Sequence, residues 1–129
     1  MKIKKLPKKL ILKHVEILDP FKEKAYKGNI LLVNGKIAGV GNFDQPSDAK
    51  SLECEGLTLT HGFCDLHVHF REPGDEDKET LESGSNAALS GGFTRVCTMP
   101  NTNPPIDSPE SVSFIIEKSK DYPIHIHPI

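Results

Sequence analysis

The stretch Asp65-Leu66-His67-Val68-His69-Phe70-Arg71-Glu72-Pro73-Gly74 decides how the rest of the chain is read. Side chains alternate across a strand, so His67 and His69 project from one face and Leu66, Val68 and Phe70 from the other. At ~3.3 Å of rise per residue, the two histidine Cβ atoms stand roughly 6.6 Å apart. Two imidazoles at that spacing can lean onto one metal ion, each nitrogen at ~2.0–2.1 Å. Arg71 shares their face one step further on, where its planar fork suits a carboxylate held bidentately. Pro73-Gly74 then ends the strand. A bare His-x-His pair more often marks a half-buried strand than a metal, so the context is decisive.

Upstream, Leu57 to Cys64 leads in from another apolar strand through a glycine turn. Downstream, a strand over Phe63 to Phe70 is followed by the acids Glu72, Asp75, Glu76 and Asp77. These are expected to form a solvated turn that also favours a helix N-terminus through its dipole. Thr80 is the expected N-cap of a helix over Leu81 to Ser90, which Gly91-Gly92 ends. Phe93 to Met99 is a near-continuous apolar run, the pattern of a parallel strand covered on both faces. Met99-Pro100-Asn101-Thr102-Asn103-Pro104-Pro105 closes it with a second rigid, polar loop. Ser108-Pro109-Glu110 starts another helix, with Val112, Ile115 and Ile116 as its apolar stripe. Ile124 to Ile129 begins a third strand. Strand-helix-strand-helix-strand predicts a parallel sheet.

Before Gly62 the period is that of strands. Lys9 to Leu18 predicts a strand ending at Asp19-Pro20, and Phe21 to Lys27 a polar connection. Asn34-Gly35 between the apolar runs Asn29–Val33 and Lys36–Val40 is a type I′ hairpin signature, because both turn positions need positive φ. Gly41 to Lys50 reads as a loop and Ser51 to Thr60 as one or two short strands. Residues 1–60 are thus expected to form a small antiparallel β unit, sandwich-like and partial, without a catalytic set. His14 and His61 read as packing or surface residues.

Hydrophobic residues make up 36 % of the 129-residue chain, below the usual ~45–50 %, a figure that also counts glycine. The net charge is −2 and only two of the sixteen basic residues are arginine, which argues against nucleic acid as a partner. Cys54, Cys64 and Cys97 form no Cys-x-x-Cys pair and are odd in number, fitting reduced thiols in the cytoplasm. Cys64 could approach a metal, but a small buried hydrophobe is its expected role. No apolar run nears the ~18 residues of a membrane span. Lys2, Lys4, Lys5, Lys8, Lys9 and Lys13 make the start basic, yet Lys13-His14 interrupts Leu10-Ile11-Leu12 too soon for a signal peptide. A solvated terminus is expected there.

The motif around His67 and His69, with Lys78-Glu79-Thr80, Gly91-Gly92-Phe93-Thr94 and the Met99–Pro105 loop, resembles dihydroorotase. The likeness is to the type I branch of the cyclic amidohydrolases, and it runs from about Gly62 to the last residue. Residues before Thr58 match only as the loosely patterned small β domain of such enzymes. The resemblance implies an α/β fold: the N-terminal part of a metal-dependent-hydrolase TIM (β/α)₈ barrel over residues 61–129, preceded by the small β domain. Active residues of such barrels sit at the C-terminal ends of the strands, where His67, His69, Arg71 and Asn101 fall.

The same resemblance implies one or two zinc ions, with His67 and His69 among the ligands and Arg71 and Asn101 holding the substrate's carboxylate. The implied reaction is reversible opening of dihydroorotate to N-carbamoyl-aspartate by a metal-activated water, in pyrimidine synthesis. Further ligands and the proton-handling aspartate come from later strands in such enzymes, so no catalytic residue of that kind is expected within residues 1–129. The second pair, His125 and His127, matches no family motif and is expected to be structural. A homo-oligomer, or association with aspartate transcarbamoylase, is the expected assembly, and a membrane is not an expected partner.

A barrel of this kind needs ~250 residues, so the 129-residue polypeptide alone is expected to be inactive and to lack cooperative folding. Competing readings are a hydantoinase, dihydropyrimidinase or allantoinase, and a non-catalytic dihydroorotase-like partner of aspartate transcarbamoylase. A third is a small β module with a zinc-binding edge. Arg71 favours a substrate that bears a carboxylate.

Overall fold

The computed structural model describes residues 6–21 and 24–129. The expectations for Lys2, Lys4 and Lys5, and for two residues of the 21–27 connection, fall outside them. The chain divides into two compact units, Met1–His61 and Gly62–Ile129. Among the described residues no helix is long and apolar enough to cross a membrane.

The first unit is one sheet of five strands: β1 (Lys9–Ile17), β2 (Tyr26–Val33), β3 (Lys36–Gly41), β4 (Lys50–Glu53) and β5 (Thr58–Leu59). Asn34 and Gly35 turn between β2 and β3 with φ of 50° and 77°, the left-handed pair that a type I′ hairpin demands. The strand order is β3-β2-β1-β4, with β5 also on β1. Here the structure corrects the antiparallel expectation: β4 and β5 run parallel to β1, so the sheet is mixed. β3 and β4 occupy opposite edges, and residues 42–49 carry the chain across between them. That crossing sends β4 back along the direction of β1 rather than against it. Val15, Ile17, Ile30 and Cys54 form the core. His14 is a surface residue at an irregularity of β1, with φ of 56° and its Nδ1 2.6 Å from Glu53 Oε1.

The second unit alternates β6 (Phe63–Val68), α1 (Leu81–Ser90), β7 (Phe93–Thr98), α2 (Pro109–Ser119) and β8 (His125–Pro128). Its three strands are parallel in the order β6-β7-β8, as the alternation predicts. Both helices begin with a reciprocal cap. Thr80 Oγ1 accepts from Ser83 N–H at 3.0 Å while Thr80 N–H donates to Ser83 Oγ at 2.9 Å. Ser108 and Ser111 repeat the arrangement, with Pro109 at the first turn. Phe70, Leu81, Val96, Ile106, Ile115, Ile124 and Ile126 make the core. Ile116 is 49 % exposed, so it does not belong to the inward stripe of α2. Ile115 and Ser119 are buried and Val112 half-buried, which is the i, i+3, i+7 spacing of a narrower face.

Glu72 overturns part of the expectation for the acidic loop, because it is 3 % exposed and not solvated. Its Oε2 accepts from Leu81 N–H, the first residue of α1, at 2.8 Å. Its Oε1 bonds to Lys118 Nζ on α2. One carboxylate therefore ties the segment after β6 to both helices. The bond to Glu72 raises the Lys118 pKa above its ordinary value of 10.5. A folded pKa above the unfolded one stabilises fully below 10.5, and the contribution is lost as pH rises through the folded value. Alkaline unfolding is therefore expected to steepen above that point in the wild type and not in Lys118→Met, as followed by circular dichroism against pH. Lys118→Met should also destabilise more than Glu72→Gln at neutral pH. It strands a charge that is 3 % exposed, whereas the lysine side chain freed by the other change is 43 % exposed and rehydrates.

Candidate metal centre

β6 ends at Val68, so His67 is the last residue but one of the strand and His69 is the first residue beyond it. The ladder to β7 slips between Asp65 and Val68: three residues of β6 are spanned by two of β7. Such a bulge bends the strand and re-aims side chains. Asp65 Oδ1 fixes the slip by accepting from His67 N–H at 3.0 Å. On the inner side Phe70 is buried against α1, and a Cβ added at Gly84 would stand 2.5 Å from its ring. Val68 is half-buried, but Leu66 is 71 % exposed, so the apolar face expected of this strand is only partly covered in this unit. His67 is exposed and His69 half-buried.

The two imidazoles converge. Their Nε2 atoms are 3.2 Å apart, with ring centroids at 5.1 Å and planes at 62°. A zinc ion ~2.05 Å from both nitrogens would subtend an angle of about 100°, close to the tetrahedral value. The donor set therefore fits zinc on geometry and on chemistry, as two neutral imidazoles. Among the described residues no third histidine, cysteine or carboxylate completes a cluster. A catalytic zinc usually takes three protein ligands, so His67 and His69 make up part of a set.

Asn101 joins the pair, its Oδ1 lying 2.9 Å from His69 Nδ1. It follows β7 by three residues, and in a parallel sheet the loops after β6 and β7 leave by the same edge. Met99 N–H donates to Val68 O at 2.9 Å, carrying the ladder up to that edge. The two loops are also clasped further out. Asn103 N–H donates to Pro73 O at 3.0 Å, and Gly74, at φ 106°, sits against the Asn103 carbonyl. Arg71 is exposed, and among the described residues its guanidinium makes no hydrogen bond or ion pair. Its backbone carbonyl closes a turn by accepting from Asp75 N–H at 2.9 Å. Thus three of the four expected site residues meet through side chains, whereas Arg71, two residues beyond His69 in the chain, makes no hydrogen bond or ion pair with them and keeps its donors unspent.

Other expectations separate from this centre. His125 and His127 lie on β8, both exposed, with rings stacked 6.4 Å apart and no hydrogen bond joining them. Cys64 is exposed rather than a buried hydrophobe, and Cys54 of the first unit is the buried thiol. Sequence reasoning missed Asp65, Glu72 and Asn103 as the supports of the site. Asp65 had a legible signal, an acid two residues before a histidine on a short strand, where a side chain can cap the backbone.

The chain matches the family model described as Dihydro-orotase-like over residues 56–123, more than half its length. It is 44 % identical over 121 residues to a dihydroorotase of Elusimicrobium minutum, covering 92 % of this chain and 28 % of that protein. A dihydroorotase of Aquifex aeolicus is 44 % identical over 112 residues, covering 87 % of this chain and 26 % of the relative. The chain therefore spans about a quarter of the length of these curated relatives. Among solved structures, an L-hydantoinase (dihydropyrimidinase) from Arthrobacter aurescens superposes with a TM-score of 0.74 at 22 % identity, covering 92 % of this chain and 27 % of that one. A D-hydantoinase superposes at 0.68 and 24 % identity, covering 93 % and 26 %. These two share the fold. Its sequence match makes this chain a member of the dihydro-orotase-like family.

Proposed function

We propose that the full-length protein is a zinc-dependent dihydroorotase that opens dihydroorotate reversibly to N-carbamoyl-aspartate in cytoplasmic pyrimidine synthesis. In this reading β6, β7 and β8 open a (β/α)₈ barrel whose strand ends carry the site. The observation that carries it is the convergence of His67 and His69 Nε2 at 3.2 Å with Asn101 behind His69. Bound zinc would supply a water of lowered pKa and polarise the ring amide carbonyl. The chain's own residues hold the metal and orient the ring. Arg71 offers paired N–H donors to the ring's carboxylate, and the Asn101 amide hydrogens offer a second contact. With two histidines and, among the described residues, no third ligand, residues 1–129 by themselves are expected to be inactive.

Hydrolysis of dihydroorotate, dihydrouracil and allantoin by the zinc-loaded, full-length protein tests this. Dihydroorotate is expected to be the preferred substrate, and equal or faster turnover of dihydrouracil would overturn the assignment. Arg71→Met should raise KM for dihydroorotate about 10–150-fold, the value of hydrogen bonds to a charged group. Its rate on dihydrouracil, which has no carboxylate, should not change. A hydantoinase-type reading draws support from the fold neighbours. The 44 % identity to dihydroorotases, against 22–24 % to hydantoinases, favours the first.

A further inference from the structure

The Asn101 amide has two different hydrogen-bonding ends, and the structure uses one of them. Oδ1 lies 2.9 Å from His69 Nδ1. An amide oxygen only accepts, so this contact is a hydrogen bond in the tautomer that carries its proton on Nδ1, which leaves the Nε2 lone pair facing His67, 3.2 Å away. That is the tautomer and the ring orientation a metal ligand needs. Among the described residues nothing accepts from the two Nδ2 hydrogens of Asn101, which stay available to an anionic group beside the pair.

We infer that Asn101 is a positioning residue for His69: its acceptor end fixes the ligand's tautomer and aim, in addition to the substrate contact already assigned to its donor end. The metal half of this inference stands on the His69 contact, and the substrate half rests on the dihydroorotase reading above. Metal-bound histidines depend on such a partner, and losing one weakens metal binding by about 10–100-fold. The arrangement also explains why an amide occupies the position. An aspartate would hold Nδ1–H as well or better but would repel a carboxylate substrate. An alanine would do neither. Asn101 is exposed and bonds only to His69 among the described residues, so its replacement leaves the core intact.

The test uses the full-length protein, with zinc ion as the probe in competition with a chromogenic chelator. Asn101→Ala is expected to weaken zinc about 10–100-fold, while Asn101→Asp keeps or exceeds wild-type affinity. Both variants should raise KM for dihydroorotate. In long-range proton–nitrogen spectra of the metal-free protein, His69 should be Nδ1-protonated in wild type and Asn101→Asp, and a mixture of tautomers in Asn101→Ala. Unchanged zinc affinity and tautomer in Asn101→Ala would overturn the inference, as would equal weakening of zinc by both variants. If the zinc and tautomer pattern holds but no variant, nor wild type, opens dihydroorotate, the role of Asn101 toward His69 stands and the substrate assignment falls.

Discussion

Replacing His67 and His69 together by asparagine is expected to abolish stoichiometric zinc binding in the full-length protein, and dihydroorotate opening with it. Each single replacement should be nearly as damaging, because ligands that act as a unit are not additive. With Nε2 atoms 3.2 Å apart, the pair is aimed at one point, and either imidazole alone offers that point a single nitrogen. The loss should exceed the roughly 100-fold ceiling typical of outer partners, and so exceed that of Asn101→Ala. His125 and His127 supply the control. They have the same spacing in sequence, but their rings stack 6.4 Å apart without converging. His125→Asn with His127→Asn should leave the zinc stoichiometry unchanged, as measured by metal analysis after dialysis. Retained zinc in the His67/His69 double variant would remove the basis for the centre.

How far the sequence carried the fold depends on whether the decisive contact was local. Asn34-Gly35 announces its hairpin because both φ values are set within the turn itself. Thr80 and Ser108 announce their helices because each cap closes over three residues. The convergence of His67 and His69 was legible as an i, i+2 spacing, although the bulge after Asp65 that helps aim them was not. The parallel β4 was illegible because its direction follows from which edge of the sheet it reaches, 40 residues of chain away from the pairing partner in its register, Leu10 to Lys50. Glu72 was misread for the same reason. In sequence it is one acid among four near a turn, and only the arrival of Lys118 from α2 makes it a buried tie. Asn101 was assigned a substrate contact by resemblance, and its bond to His69 joins residues 32 apart.

Gly74→Ala is expected to lower the stability of the full-length protein by about 2–6 kcal/mol and to raise KM for dihydroorotate in the fraction that folds. Two costs combine there. A non-glycine residue held at a sparsely populated positive φ costs of order 1–3 kcal/mol, and Gly74 has φ of 106°. Overpacking adds about 1–3 kcal/mol, and an added Cβ would lie 2.1 Å from the Asn103 carbonyl oxygen. That neighbour is backbone, so it cannot swing away like the end of a long side chain. It is also tied, since Asn103 N–H donates to Pro73 O at 3.0 Å. Relief therefore requires the loop carrying Arg71 to part from the loop carrying Asn101, which disturbs the two groups assigned to the carboxylate. Gly35→Ala separates the two costs, because Gly35 has φ of 77° with nothing within 4 Å of the new Cβ. Measured by chemical denaturation, Gly35→Ala should show only the conformational cost and leave KM untouched. Equal losses at the two glycines, or an unchanged KM in Gly74→Ala, would mean that the clasp between the loops does not position the site.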